Sequence, residues 1–158
     1  MLFLSIRVGR DYFALPAAEV VEVLPLVKLK LLPQAPPGVA GLLDWRGTPV
    51  PVLDLTLMAT GVESRASMAT RIALLNYGPD GQDPKKLGLV AEEMTDTFHA
   101  NENEFVESGV DIPEAAYLGP VLKRGGRIVQ RVGIGQLLSP EARAAVFGGV
   151  EDRETTHA

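Results

Sequence analysis

Residues 41–55 read GLLDWRGTPVPVLDL, two apolar runs separated by a short polar stretch, with Asp44 and Arg46 set in the middle. The pattern predicts two strands joined at a tight turn around Arg46-Gly47-Thr48, with Gly47 supplying the positive φ that closes it. Pro49 and Pro51 lack amide donors, which places the second strand at a sheet edge or beside a bulge. Because side chains alternate along a strand, Asp44 and Arg46 are expected on one face and Leu43 and Trp45 on the other. An arginine amid so much apolar residue must be paired if buried, or must point into a groove that another molecule fills. Glu22, in AEVVEVL (18–24), is a candidate partner; a solvated contact with Asp44, contributing under about 1 kcal/mol, is the alternative.

Working outward, short apolar runs recur along the chain with turn residues between them, a spacing that reads as an all-β barrel or sandwich. The runs also repeat in order. FLSIRVG (3–9) resembles IALLNYG (72–78), FALPAAEVVEVL (13–24) resembles LGLVAEEMTDTF (87–98), GLLDWRG (41–47) resembles GPVLKRG (119–125), and VPVLDL (50–55) resembles VQRVGI (129–134). Ordered matches of this kind point to a duplicated unit of five strands. Such a unit is near the lower size limit for its own core, so two units should pack together as lobes of one domain with a groove between them. Helix signals are few: Asp54 is placed to cap LTLMAT before Gly61, and Ser139-Pro140-Glu141 opens ARAAVF, with Gly148 as its stop. The reading therefore assigns residues 1–147 to one domain of two pseudo-repeated lobes and 148–158 to a flexible C-terminal tail.

The 158 residues include no cysteine, which removes thiolate metal sites, redox motifs and cysteine nucleophiles. The N-terminal MLFLSIRVGR lacks the features of a signal peptide, and no apolar run approaches the length of a bilayer span, so a soluble, cytoplasmic protein is expected. A net charge of -5 argues against a broad phosphate-binding surface. Catalytic constellations are missing as well. His99 reads as part of a polar connection and His157 as part of the tail; Gly133-Ile134-Gly135 lacks the third glycine of a dinucleotide loop; and Gly125-Gly126-Arg127 lacks the lysine and hydroxyl of a phosphate loop. Asp44 and Asp54 are separated by the turn, and Asp54 has a capping role available. No catalytic residue, metal site or cofactor is expected.

GLLDWRGTPVPVLDL resembles the GxxNxRGxxxPxxDL signature of the CheW-like family, the adaptors that join receptors to a kinase in bacterial chemotaxis arrays. YFALPAAEVVEVL is similar to that family's first apolar motif, KLGLVAEEMTDTF to its "GLxVDxVxEV" strand, and YLGPVLKRGGRIVQRVGIGQLL to its closing hairpin and helix. The resemblance runs from about residue 2 to 147. It implies two intertwined SH3-like five-stranded β-barrel lobes with short helices. It also implies a non-catalytic scaffold that binds the cytoplasmic tip of a methyl-accepting receptor and a CheA-type histidine kinase, at the inner face of the membrane but without inserting into it. Carried over residue by residue, Arg46 matches the family's prominent arginine, and Val20 and Glu22 match positions tied to receptor and kinase coupling. The expected binding surface is then Val20, Glu22, Asp44, Trp45, Arg46 and Gly47.

Asp44 and Trp45 depart from the signature's asparagine and aliphatic residue, and Gly133 and Gly135 stand where the family carries polar or acidic residues. Trp45 reads either as core or as an interface aromatic. EVLPLVKLKLLPQAPPGVAGLL and VDIPEAAYLGPV look more like the accessory Wsp-type adaptors of surface-sensing pathways, which end in a diguanylate cyclase. Two functions from other classes compete: a small β-barrel nucleic-acid-binding protein, which lacks an aromatic-plus-basic face on these counts, and a small hydrolase, which lacks a nucleophile.

Overall fold

In the runs FLSIRV, DYFALP, RIALLNY and LGLVA most positions are apolar, without strict alternation, which suits strands covered on both faces rather than one. The computed structural model, which describes residues 1–78 and 85–148, builds its centre from these four. They are β1 (Leu2–Val8), β2 (Asp11–Pro16), β6 (Arg71–Tyr77) and β7 (Lys85–Ala91). Around them lie β3 (Val20–Pro25), β4 (Val39–Trp45), β5 (Thr48–Asp54), β8 (Asp96–His99), β9 (Leu118–Arg124) and β10 (Arg127–Val132). Two short helices complete the fold: α1 (Leu55–Thr60), and α2 (Pro140–Arg143), which runs on as a wider turn over Ala144–Gly148. No helix among the described residues is long and apolar enough to cross a membrane.

The strands form two five-stranded sheets, ordered β8-β1-β2-β10-β9 and β3-β6-β7-β5-β4. The second order becomes the first when each strand is exchanged for its sequence repeat. The hydrogen-bonded registers obey the same rule. Glu22 faces Leu74 as Asp96 faces Ser5, Val52 faces Gly88 as Arg131 faces Ala14, and Trp45 faces Thr48 as Arg124 faces Arg127. The duplication is real, but the repeat is not the lobe. Each lobe takes two strands from one repeat and three from the other, joined through the parallel pairs β2–β10 and β5–β7. The hairpin match also moves by one residue: Arg46-Gly47 corresponds to Gly125-Gly126, not to Arg124-Gly125.

Each sheet curls, and the chain leaving one edge strand meets the other edge through a single bridge, Lys30 with Leu42 in one lobe and Val106 with Val121 in the other. The β class and the intertwining agree with the sequence; closure of each barrel rests on those single bridges.

Strand alternation sorts the core into three layers. Leu4, Ile6, Val8, Phe13 and Leu15 point from β1 and β2 into a shared core, where they meet Ala73, Leu75, Tyr77, Leu87 and Leu89 from β6 and β7. The opposite faces fill the lobes: Ile72, Leu74 and Val90 pack with Leu43, Val50 and Val52, while Phe3 and Ala14 pack with Leu122 and Val129. At Gly88 an added Cβ would lie 2.8 Å from Val52 Cγ2, so β7 needs glycine there to let β5 approach.

Three local expectations are corrected. β5 is not an edge strand: it lies between β7 and β4, next to the bulge at Val39–Gly41 of β4, and β7 pairs only with Val52–Asp54, so Pro49 and Pro51 sit in the half that is paired to β4 alone, where donors toward β7 are not needed. Arg46 lies in the turn as read, with φ 52° there and 84° at Gly47, the two positive values of a type I′ hairpin, so the strand alternation that put it on the same face as Asp44 does not govern it. His99 ends β8 opposite Leu2 and is exposed, rather than lying in a connection. Both helix caps form as read, with Asp54 accepting from the Leu57 amide and Ser139 from the Ala142 amide. The tail expected at 148–158 has Gly148 in the final helical turn, and residues 149–158 lie outside the described residues.

Candidate functional site

The two edge strands of the second lobe, β3 and β4, are far apart in sheet order, yet curling brings Glu22 and Trp45 together. Trp45 Nε1–H donates to Glu22 Oε2 at 3.3 Å, and Arg46 Nη2 lies 3.8 Å from the same oxygen. The Arg46 guanidinium stacks over the Trp45 ring, 5.0 Å from its centroid. Below, the half-buried indole packs against the lobe core of Leu43, Val50 and Val52. Asp44 faces solvent and turns its carboxylate back to the Gly47 amide at 2.8 Å, which fixes the turn. Val20, at the start of β3, is half-buried against the shared core.

The cluster is thus one carboxylate holding an indole and a guanidinium in a stack. The Arg46 side chain is 74% exposed and that of Glu22 39%. An ion pair this wet contributes at most about 1 kcal/mol to stability. Meanwhile a non-glycine residue in the left-handed region costs of order 1–3 kcal/mol. Asn or Gly would close the same turn without that strain, so what Arg46 gains is the placement of an exposed guanidinium.

A CheW-like domain profile matches residues 2–142, nearly the whole described chain. The chain belongs to the CheW-like domain family. Among solved structures it is similar to the scaffolding protein TtCheW from Thermoanaerobacter tengcongensis, with 19% identity, a TM-score of 0.75 and 89% of each chain covered. That likeness is one of fold. No curated protein sequence matches the chain.

Within this CheW-like fold the expected surface residues fall in two places. Glu22, Trp45 and Arg46 form the stack, with Asp44 and Gly47 as its turn; Val20 lies apart, facing inward. Two residues were missed. Val21 and Val23 flank Glu22 on β3 and are exposed; the alternation in Val-Val-Glu-Val already puts them together on the face opposite Glu22. The equivalent residues before and after Asp96 are Thr95 and Thr97, so the exposed apolar edge belongs to one lobe only.

The groove between the lobes is elsewhere. A cavity of about 1270 Å³ opens where α1, α2 and residues 113–117 meet over the shared core, lined among others by Pro36, Met58, Tyr77, Tyr117, Leu137 and Arg143. Burial pushes the Tyr77 and Tyr117 hydroxyls above the usual tyrosine range, with Arg143 opposing this at Tyr77. None of the expected surface residues lines this groove, because the stack is built at the outer ends of β3 and β4. Among the described residues no cluster of three or more His, Asp or Glu side chains is placed to hold a metal.

Proposed function

We propose that this chain is a non-catalytic cytoplasmic adaptor that couples methyl-accepting chemoreceptors to a CheA-type histidine kinase. The observation that carries this reading is membership of the CheW-like family over residues 2–142. A rigid two-lobe body suits the task, since holding two partners at fixed orientation raises their effective concentration without any chemistry of its own. The test is kinase autophosphorylation with receptor-containing membranes, with and without this protein. Receptor control of the kinase that appears only when the adaptor is added supports the reading. Equal phosphorylation in both reactions, with receptor and kinase verified as active partners, defeats it.

Glu22, Trp45 and Arg46, with Asp44 and Gly47 setting the turn, form the contact surface in this reading, and Val21 and Val23 offer a separate apolar strip on the other face of β3. Val20, packed against the shared core, lies outside this surface. The strained arginine gives a clean prediction. Arg46→Gly removes the guanidinium while easing the backbone, so the melting temperature should stay level or rise as partner binding weakens by about 1–3 kcal/mol. Calorimetric titration with the kinase regulatory domain and with a receptor-tip fragment measures this. Unchanged affinity for both by a folded variant removes Arg46 from the surface.

A further inference from the structure

The register equivalence places a counterpart of the Glu22–Trp45–Arg46 site at the end of the other lobe, and there the contents differ. Asp96 stands for Glu22, but Arg124 replaces Trp45, Ser5 replaces Leu74 and Thr97 replaces Val23. At Leu74 and Val23 an apolar side chain gives way to a hydroxyl, and at Trp45 an indole gives way to a charged guanidinium. Where the indole seals one lobe, the other keeps an open pocket of about 220 Å³ bounded by Ser5, Tyr12, Asp96, Phe98, Arg124 and Arg127.

The two arginines are prepared for an anion. They are paired directly across the β9–β10 hairpin, next to the Gly125-Gly126 turn. The Arg127 guanidinium lies over the Tyr12 ring at 4.5 Å and that of Arg124 over the Phe98 ring at 5.1 Å. Each ring holds its guanidinium by a cation–π contact that uses no N–H hydrogen bond, leaving those donors for an acceptor. Among the described residues no carboxylate lies within ion-pair distance of Lys123, Arg124 or Arg127, whereas Arg7, Arg65 and Arg131 each have one. A chain of net charge -5 thus gathers three unpaired cations on one hairpin.

We propose that this pocket is a docking site for a carboxylate-rich segment of a protein partner, with a Glu or Asp side chain held by Arg124 and Arg127 and Lys123 attracting the flanking acids. Covered ring faces leave little platform for nucleic-acid bases, which bind by stacking on open aromatics. Asp96, on the pocket wall, repels a phosphate dianion about twice as strongly as a singly charged carboxylate. The proposal stands apart from the adaptor reading and does not require it.

The experiment is fluorescence anisotropy of a labelled glutamate-rich peptide titrated with the full chain at about 50 mM salt, where the Debye length still exceeds 10 Å. Saturable binding is expected, weakening about tenfold or more in the Arg124→Gln/Arg127→Gln double variant and unaffected in Arg65→Gln, whose arginine lies outside the pocket. A second pair, Lys123→Gln with Arg127→Gln, keeps Arg124 on the Phe98 ring and serves if loss of that stack unfolds the lobe. No saturable binding by the folded wild type, an equal loss in Arg65→Gln, or displacement of the peptide more readily by inorganic phosphate or an oligonucleotide than by unlabelled peptide overturns the proposal.

Discussion

Truncation of Phe3 to alanine is expected to lower the unfolding free energy by about 3–5 kcal/mol, a large share of the 5–15 kcal/mol typical of a single domain. Phe3 is fully buried, with the Phe98 ring stacked at 5.5 Å, the Phe105 ring at 5.1 Å and the Arg131 guanidinium at 5.4 Å. Close packing on every side prevents the site from collapsing around the missing ring, so the cavity cost adds to the lost transfer energy. The loss should be felt by both lobes. β1 carries Phe3 on one face and Leu4, Ile6 and Val8 on the other, and those three are the floor of the core shared with β6 and β7. Trp45, the sole tryptophan, sits in the other lobe and reports on it independently. In urea, Trp45 fluorescence and far-UV circular dichroism are expected to share one midpoint in the wild type and to shift down together in Phe3→Ala. A Trp45 transition that stays at the wild-type midpoint would show that the lobes unfold separately.

This coupling was only partly legible in the sequence. The repeats were visible because each half carries the same succession of apolar runs, and a run must stay apolar wherever both its faces are covered. Which repeat supplies which lobe was not visible from the residues themselves. The parallel pairs β2–β10 and β5–β7 join strands far apart in the chain, and apolar periodicity does not encode the partner of a strand. Intertwining was expected from the CheW-like resemblance alone.

The hairpins show where turn chemistry misleads. In Lys-Arg-Gly-Gly-Arg (123–127) two glycines offer alternative turn positions, and aligning the first of them with Gly47 shifted the repeat by one residue. At Arg46 the error lies in extending strand alternation into a residue that the same sequence already puts in the turn. Pro49 and Pro51 signal a missing donor on one side of one half of a strand, which is a narrower statement than an edge strand. As for the site, the approach of Glu22 to Arg46 was anticipated and alternation along β3 already groups Val21 with Val23, whereas the Trp45 hydrogen bond emerges only when β3 and β4 are curled together. A groove between the lobes was expected, but its lining was out of reach, since loops and helix ends from both repeats assemble it.

Asp54→Ala is expected to cost about 2–4 kcal/mol, the sum of a lost helix cap and of half-buried donors that lose their acceptor. The Asp54 side chain is buried at 4% exposure and serves three donors. Its Oδ1 accepts from the Leu57 amide at 3.2 Å and lies 2.7 Å from Ser64 Oγ, while Oδ2 accepts from the Ser64 amide at 2.8 Å. One carboxylate thereby closes the first turn of α1 and pins the chain that leads into β6. The other lobe manages with less: at the equivalent place Gly133 precedes a single turn, Ile134–Gln136, with no side-chain cap. Asp54→Asn separates charge from hydrogen bonding. Its amide oxygen can still take the Leu57 amide and the Ser64 hydroxyl, but its NH2 group would meet the Ser64 N–H, donor against donor. Urea denaturation should therefore place Asn between wild type and Ala, with hydrogen exchange at Ser64 accelerated in both variants and at Leu57 mainly in Ala. A loss under about 0.5 kcal/mol for Ala, the range of an ordinary surface change, would mean that Asp54 anchors neither the helix nor the loop. Equal losses for Asn and Ala would instead assign the stabilisation to the negative charge at the helix start.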